Sequence, residues 1–291
     1  MAKGYVLAQH SWKDSEVIAI SSYDDQLIGT FPLSFIKRSG LNTWAFISDI
    51  VHQLVDIVEG GVITTRNGEP VVLQEAPYAG KFMFVPHREL TVADKRANIT
   101  FARGPESHRK NVAANLNASQ STFSDSKRST ARQNEFRTAL IARDYCCLVT
   151  DAPYTKCTAS HIIPQSRPDI YSNVLSIFYP PPIFAASAGL LLRDDIHHAF
   201  DRFELSFYFQ DGVYYVHFFI LQSTRDRELH GKELRFDRFR GPEEDRPEPK
   251  FLRWHYNQCI KARIRGFAAG LKLPSTSSEA VIMSTNTSVE E

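Results

Sequence analysis

Two short pieces of chain between Cys146 and Phe209 constrain the rest. The first is Ala159-Ser160-His161-Ile162-Ile163-Pro164; the second is Gly189-Leu190-Leu191-Leu192-Arg193-Asp194-Asp195-Ile196-His197-His198-Ala199-Phe200-Asp201. A polar His161 inside an apolar, β-branched run closed by Pro164 reads as the end of a strand. Asp194 or Asp195 is placed to cap a short helix, on which His197 and Asp201 stand four residues apart and share one face. Imidazole and carboxylate aimed the same way suit a divalent cation. Between the two pieces, residues 165–188 include Pro180-Pro181-Pro182, so neither a helix nor a central strand can run through that connection.

The order Cys147-x-Val149-Thr150, then Ala159-x-His161-Ile162-x-Pro164, then Gly189-Leu-Leu-Leu-Arg193-x-Asp195-x-His197-x-x-Phe200-Asp201 resembles the HNH endonucleases, in the branch common in fungal proteins. The resemblance implies a ββα-metal finger: a hairpin carrying the base, a loop, and a helix carrying metal ligands. It makes His161 the general base that activates water against a DNA phosphodiester. His197 then serves catalysis by holding the metal, with Asp201 as a second ligand. One divalent ion is implied, Mg²⁺ first, with Mn²⁺ or Zn²⁺ as alternatives, and DNA as the partner. Two positions depart from the family. Ala188 stands where an asparagine usually orients the base, and Ser160 stands where many members have a further metal ligand. Ser187 and Asn173 are the candidate orienting substitutes. A degenerate finger that binds nucleic acid or protein without cutting is the rival reading, and a purely structural cluster of the same side chains is a third.

Composition bounds the remainder. A chain of 291 residues, 43% hydrophobic with 20 Phe, has ample material for packed cores. A net charge of +1 argues against a globally basic nucleic-acid coat, so any DNA footprint is local. No apolar run nears the length of a membrane span, and no basic segment followed by an apolar core opens the chain. Four cysteines, two of them adjacent, do not make a secreted disulfide framework. An intracellular protein of nucleus or cytoplasm is expected.

The fold class expected is α+β: a ββα-metal (HNH) finger domain with flanking helices, preceded by a small N-terminal α+β domain. The divisions are an N-terminal accessory domain at 1–90 and a polar linker or helix at 91–130. An HNH nuclease-like domain with a C-terminal basic helix follows at 131–273, then a disordered tail at 274–291. In the first unit, Tyr5–Leu7, Val17–Ile20 and Leu27–Phe31 are strand candidates. Ile47 to Val58 recur at helical spacing, Asn67-Gly68 signals a hairpin between 62–65 and 70–73, and 81–85 closes the unit as a strand. Thr130-Ala131-Arg132-Gln133 fits a capping box opening a helix whose stripe is Phe136, Leu140 and Ile141. Leu148-Val149 is expected to pair with the run to His161 across Asp151-Ala152-Pro153. Asp211-Gly212 turns the strand at 205–209 into 213–218, and charge-dense 225–250 reads as a solvated loop. Residues 103–143 carry eight Lys/Arg against three Asp/Glu, and 251–273 carry basic residues and no acid. Each excess is either a solvated helix face or a phosphate-contacting surface. Cys146, Cys147 and Cys157, with a distant Cys259, raise a zinc alternative, but their spacing favours buried thiols.

Overall fold

The computed structural model describes residues 6–56, 60–87, 125–173, 176 and 181–266, apart from the side chains of 125–130 and 173. Of the expected linker or helix at 91–130, residues 91–124 lie outside the described residues and 125–130 are helical, and the tail at 274–291 lies outside them too.

The N-terminal part places α1 (Ala8–Trp12), β1 (Val17–Ser22), β2 (Leu27–Pro32), α2 (Leu33–Arg38), α3 (Trp44–Leu54), β3 (Gly61–Thr65) and β4 (Gly80–Pro86) around one four-stranded sheet. Its strand order is β2-β1-β4-β3, with β1 and β4 parallel and both outer pairs antiparallel. Alternation in β1 buries Ile18 and Ile20, and the helical stripe Phe46, Ile47, Ile50, Val51 and Leu54 of α3 is buried with them. The turn at Asn67-Gly68 forms, with Gly68 at φ +86°, but residues 70–73 do not return as a full strand. Pro70 has no N–H to give, and the Leu73 and Glu75 carbonyls instead accept the Ala45 and Trp44 N–H groups at the start of α3.

The second part begins with α4 (Asp125–Asp144), which starts before the expected cap at Thr130 and buries Phe136 and Leu140. It continues through β5 (Cys157–His161), α5 (Asp169–Asn173), β6 (Gly189–Arg193) and α6 (Asp194–Asp201). Here the expected pairing changes. The partner of β5 is β6, antiparallel from Cys157↔Arg193 to His161↔Gly189, and Leu148 lies outside that pair, donating its N–H to the Leu191 carbonyl. Thus β5, β6 and α6 make the ββα unit, and the long proline-bearing connection joins its two strands.

Hairpin β7 (Leu205–Gln210) and β8 (Val213–Phe218) forms across Asp211-Gly212, both at positive φ, as a two-residue turn demands. The charge-dense stretch is not a plain loop. A capping box between Ser223 and Asp226 starts α7 (Thr224–Leu229), and β9 (Glu233–Arg235) adds to β8. Finally α8 (Pro249–Arg263) buries Phe251, Leu252 and Trp254 in the core of the ββα part. Its Tyr256, Cys259, Ile260 and Ala262 enter the core under the N-terminal sheet. Among the described residues no helix is long and apolar enough to cross a membrane.

Three buried histidines tie these parts together. His217 Nε2 donates to the Ser39 carbonyl (2.8 Å) while its Nδ1 faces the Tyr256 hydroxyl (2.8 Å). His230 Nδ1 accepts the Phe218 N–H (3.0 Å), leaving Nε2–H for the Phe35 carbonyl (2.9 Å). His255 joins Ser206 and the Phe200 carbonyl (2.9 and 3.1 Å). Burial pushes His217 down to about 4 and His255 down to about 3, and holds His230 well below the usual imidazole value. The unfolded chain takes up these protons from about pH 6.5 downward while the folded one does not, so stability is complete above that pH and lost as pH falls. Thermal unfolding should therefore drop between pH 7 and 5, above the range where carboxylates titrate, by up to about 1.4 kcal/mol per pH unit per histidine. A melting temperature flat across that window would contradict the account.

Candidate active site

The site grows from the strand pair. His161 is the last residue of β5, anchored by buried Ile162 and Ile163 before Pro164. β6 runs without a break into α6, so the second strand aims the helix. Neither aspartate caps that helix in the expected way. Arg193 occupies the N-cap with no side-chain bond, while Asp194 accepts from Thr158 Oγ1 (2.5 Å) and Asp195 pairs with Arg193 through two contacts of 2.5 Å. Both acids still sit in the first turn, where the helix dipole favours negative charge. Ile196, Ala199 and Phe200 bury one face of α6, leaving His197 and Asp201 on another and His198 exposed beside them.

His161, His197 and Asp201 all line one cleft of about 700 Å³, together with Gln165, Ser166 and His255. His197 Nε2 lies 3.2 Å from Asp201 Oδ2. The hydrogen bond to Asp201 raises the pKa of His197 above its ordinary value, against the effect of partial burial. Burial lowers that of His161; Asp201 opposes the shift and His197 adds to it. The two imidazoles are thus pushed apart: one favours the neutral form and the other the cation when it faces a bare carboxylate.

Two donors 3.2 Å apart have the separation of neighbouring ligands of one ion at metal–ligand distances of about 2.1 Å. Among the described residues no group of three or more His, Cys, Asp or Glu could hold a metal. His197 and Asp201 offer two donors, short of the four protein ligands of a closed structural zinc site. The cysteines are free thiols, with Cys147, Cys157 and Cys259 buried.

The other sequence candidates fall elsewhere. Ser187 does not line the cleft; its carbonyl accepts the Glu248 N–H (3.0 Å) ahead of α8. Asn173 ends α5, and its side chain is outside the described set. Ala188 is fully buried and meets the strand end only through its carbonyl, which accepts the Ile162 N–H (2.9 Å). Ser160 is fully buried with no partner for its hydroxyl, next to His161 in a strand whose side chains alternate faces. His161 Nε2 is likewise buried without a hydrogen-bond partner.

Of the arginines in 103–143 whose side chains are described, Arg132 is exposed while Arg137 and Arg143 are held by the fold. Arg137 donates to the Cys157 and Tyr154 carbonyls (2.6 and 3.2 Å), and Arg143 is buried. On α8, Arg263 is buried against the carbonyls of Phe203 and Arg202, and Arg253 meets Asp49 at 3.4 Å. Burial withdraws Arg263 from the basic surface of that helix, while Arg253 stays largely exposed.

Sequence reasoning missed Arg143 and Asp144. Arg143 Nε and Nη2 grip the Asp144 carboxylate at 2.6 and 2.7 Å, both residues being sealed from solvent. The same guanidinium donates to the carbonyls of Ala186, Gly189 and Asp245 (2.8–2.9 Å), and Asp144 Oδ2 accepts the Leu191 N–H (3.0 Å). His255, stacked on Phe200 at 3.6 Å and 3°, was also unread; its one signal is a histidine at helical spacing from Phe251, Leu252 and Cys259.

Residues 147–208, about a fifth of the chain, match a family model described as HNH endonuclease. This segment spans β5, β6, α6 and most of β7, so the ββα part of the chain is similar to the HNH endonucleases. A nuclease-type function and a nucleic-acid substrate follow in general terms. No curated protein and no solved structure matches the chain.

Replacing Asp144 by Ala strands a buried guanidinium and frees the Leu191 N–H. Urea unfolding should show a loss of about 3–5 kcal/mol. A loss below about 1 kcal/mol, the scale of a surface ion pair, would show that the pair does not hold the hairpin.

Proposed function

We propose that the chain is a metal-dependent endonuclease hydrolysing DNA phosphodiester bonds, with His161 as general base and His197 and Asp201 as metal ligands. One observation carries the reading: these three side chains line a single cleft inside the segment that matches the family model. His161 in its neutral form takes a proton from water as the water oxygen bonds to phosphorus and the P–O bond to the leaving sugar oxygen breaks. A divalent ion bound to His197 and Asp201 would neutralise charge developing on the phosphate and leaving oxygens. Asp201 keeps His197 oriented by the contact they already share, and Gln165 and Ser166 offer polar groups at the cleft mouth toward a phosphate or sugar.

The unpartnered His161 Nε2 and the alanine at 188 favour a second reading, a finger that binds nucleic acid without cutting it. A plasmid-nicking assay with Mg²⁺ or Mn²⁺ separates the two. Nicking should be abolished by EDTA and reduced about 10²–10⁴-fold by His161→Ala. Because His161 titrates below its ordinary range, the acid limb of the rate should fall below pH 6.5. Retained DNA binding with no nicking above the His161→Ala background would leave the binding module in place of the enzyme.

A further inference from the structure

His161 stands at a strand end with no hydrogen bond on Nε2, and rotation about its Cβ–Cγ bond is intrinsically soft. An imidazole meant to take a proton in one direction needs something else to hold its plane. Two aromatic rings touch it. The Phe136 ring lies 4.4 Å away at 23°, stacked on the imidazole face. Phe184 meets the imidazole edge-on at 5.8 Å and 78°, and meets Phe136 edge-on at 6.2 Å and 77°. The three rings close a box that α4, β5 and the end of the long connection each supply with one wall.

Phe136 packs directly over Gly189. A Cβ built on Gly189 would fall 2.1 Å from its Cζ and 2.7 Å from its Cε2. Gly189 has an extended backbone, φ −145° and ψ 172°, which any residue adopts, so its glycine serves the close approach of the ring and not a turn. Gly189 is also the register partner of His161. The strand pair therefore leaves a gap opposite the histidine, and Phe136 fills it.

We propose that Phe136, walled by Phe184 and admitted by Gly189, is the positioning residue of His161, fixing its plane by stacking where the family's asparagine is absent. The inference rests on His161 being the base. Phe136 touches no substrate and acts only through the imidazole.

The test uses the full chain. In NMR spectra of the wild type, the ring protons of His161 should be displaced upfield by the Phe136 ring current. Phe136→Leu, which keeps an apolar filler but removes the flat ring, should return them toward ordinary positions. It should slow nicking about ten- to a hundred-fold with DNA affinity unchanged within about two-fold. Leu140→Ala, one turn along the same buried stripe, controls for destabilisation of α4: it should lower stability and leave both the His161 shifts and the rate per folded molecule as in the wild type. Undisplaced His161 protons in the wild type would overturn the proposal, as would Phe136→Leu cutting at the wild-type rate. So would Leu140→Ala reproducing the Phe136→Leu effects. If the wild type does not nick DNA, the nuclease reading fails by itself, and the ring-proton shifts alone decide whether Phe136 sets the plane.

Discussion

The buried pair of Arg143 and Asp144 is the constraint on which the site depends. Its two members are neighbours in sequence at the end of α4, yet between them they reach the carbonyls of Ala186 and Gly189 and the N–H of Leu191. Those groups bracket the start of β6, the strand that fixes the register of β5 and runs directly into α6. A buried ion pair of this kind is poor evidence of net stability, because desolvation offsets much of the attraction. Its effect is specificity: three charge-assisted hydrogen bonds are satisfied only when the long connection returns to this one position. The same helix end carries Phe136 two turns earlier, so one element places both the hairpin and the ring that stacks on His161.

Two further contacts join the cleft to the rest of the molecule. His255 from α8 stacks on Phe200 and bonds its carbonyl, clamping α6 from below the His197–Asp201 pair. α8 itself is buried in both cores, so the N-terminal sheet and the ββα part share a helix. The histidines at 217 and 230 extend that union by bonding carbonyls of Ser39 and Phe35. A change that loosens the N-terminal sheet therefore has a short physical path to the floor of the cleft.

What could be read in advance follows from how local each signal was. The strand end at His161 and the helix bearing His197 and Asp201 depended on neighbours within five residues, and both formed as read. So did the Asp211-Gly212 hairpin, whose turn chemistry is self-contained. The pairing of β5 was misread because its true partner lies beyond a connection that includes three successive prolines, while Leu148-Val149 offered a nearer apolar candidate. Arg143 and Arg263 were counted as surface charge because composition does not reveal which arginines find buried carbonyls. Gly189 looked like part of a motif, and the Phe136 ring above it, with the Ser160 carbonyl beside it, explains the missing side chain.

The central claim is that β5 and α6 bring a base and a two-ligand metal position into one cleft. Paramagnetic broadening by Mn²⁺ at substoichiometric concentration reads that geometry without any assumption about the DNA target. The account predicts early, selective loss of the His161 and His197 ring signals and of the α6 amides near Asp201, with the effect abolished in His197→Ala. Broadening spread evenly over surface carboxylates, or broadening that survives His197→Ala, would contradict it.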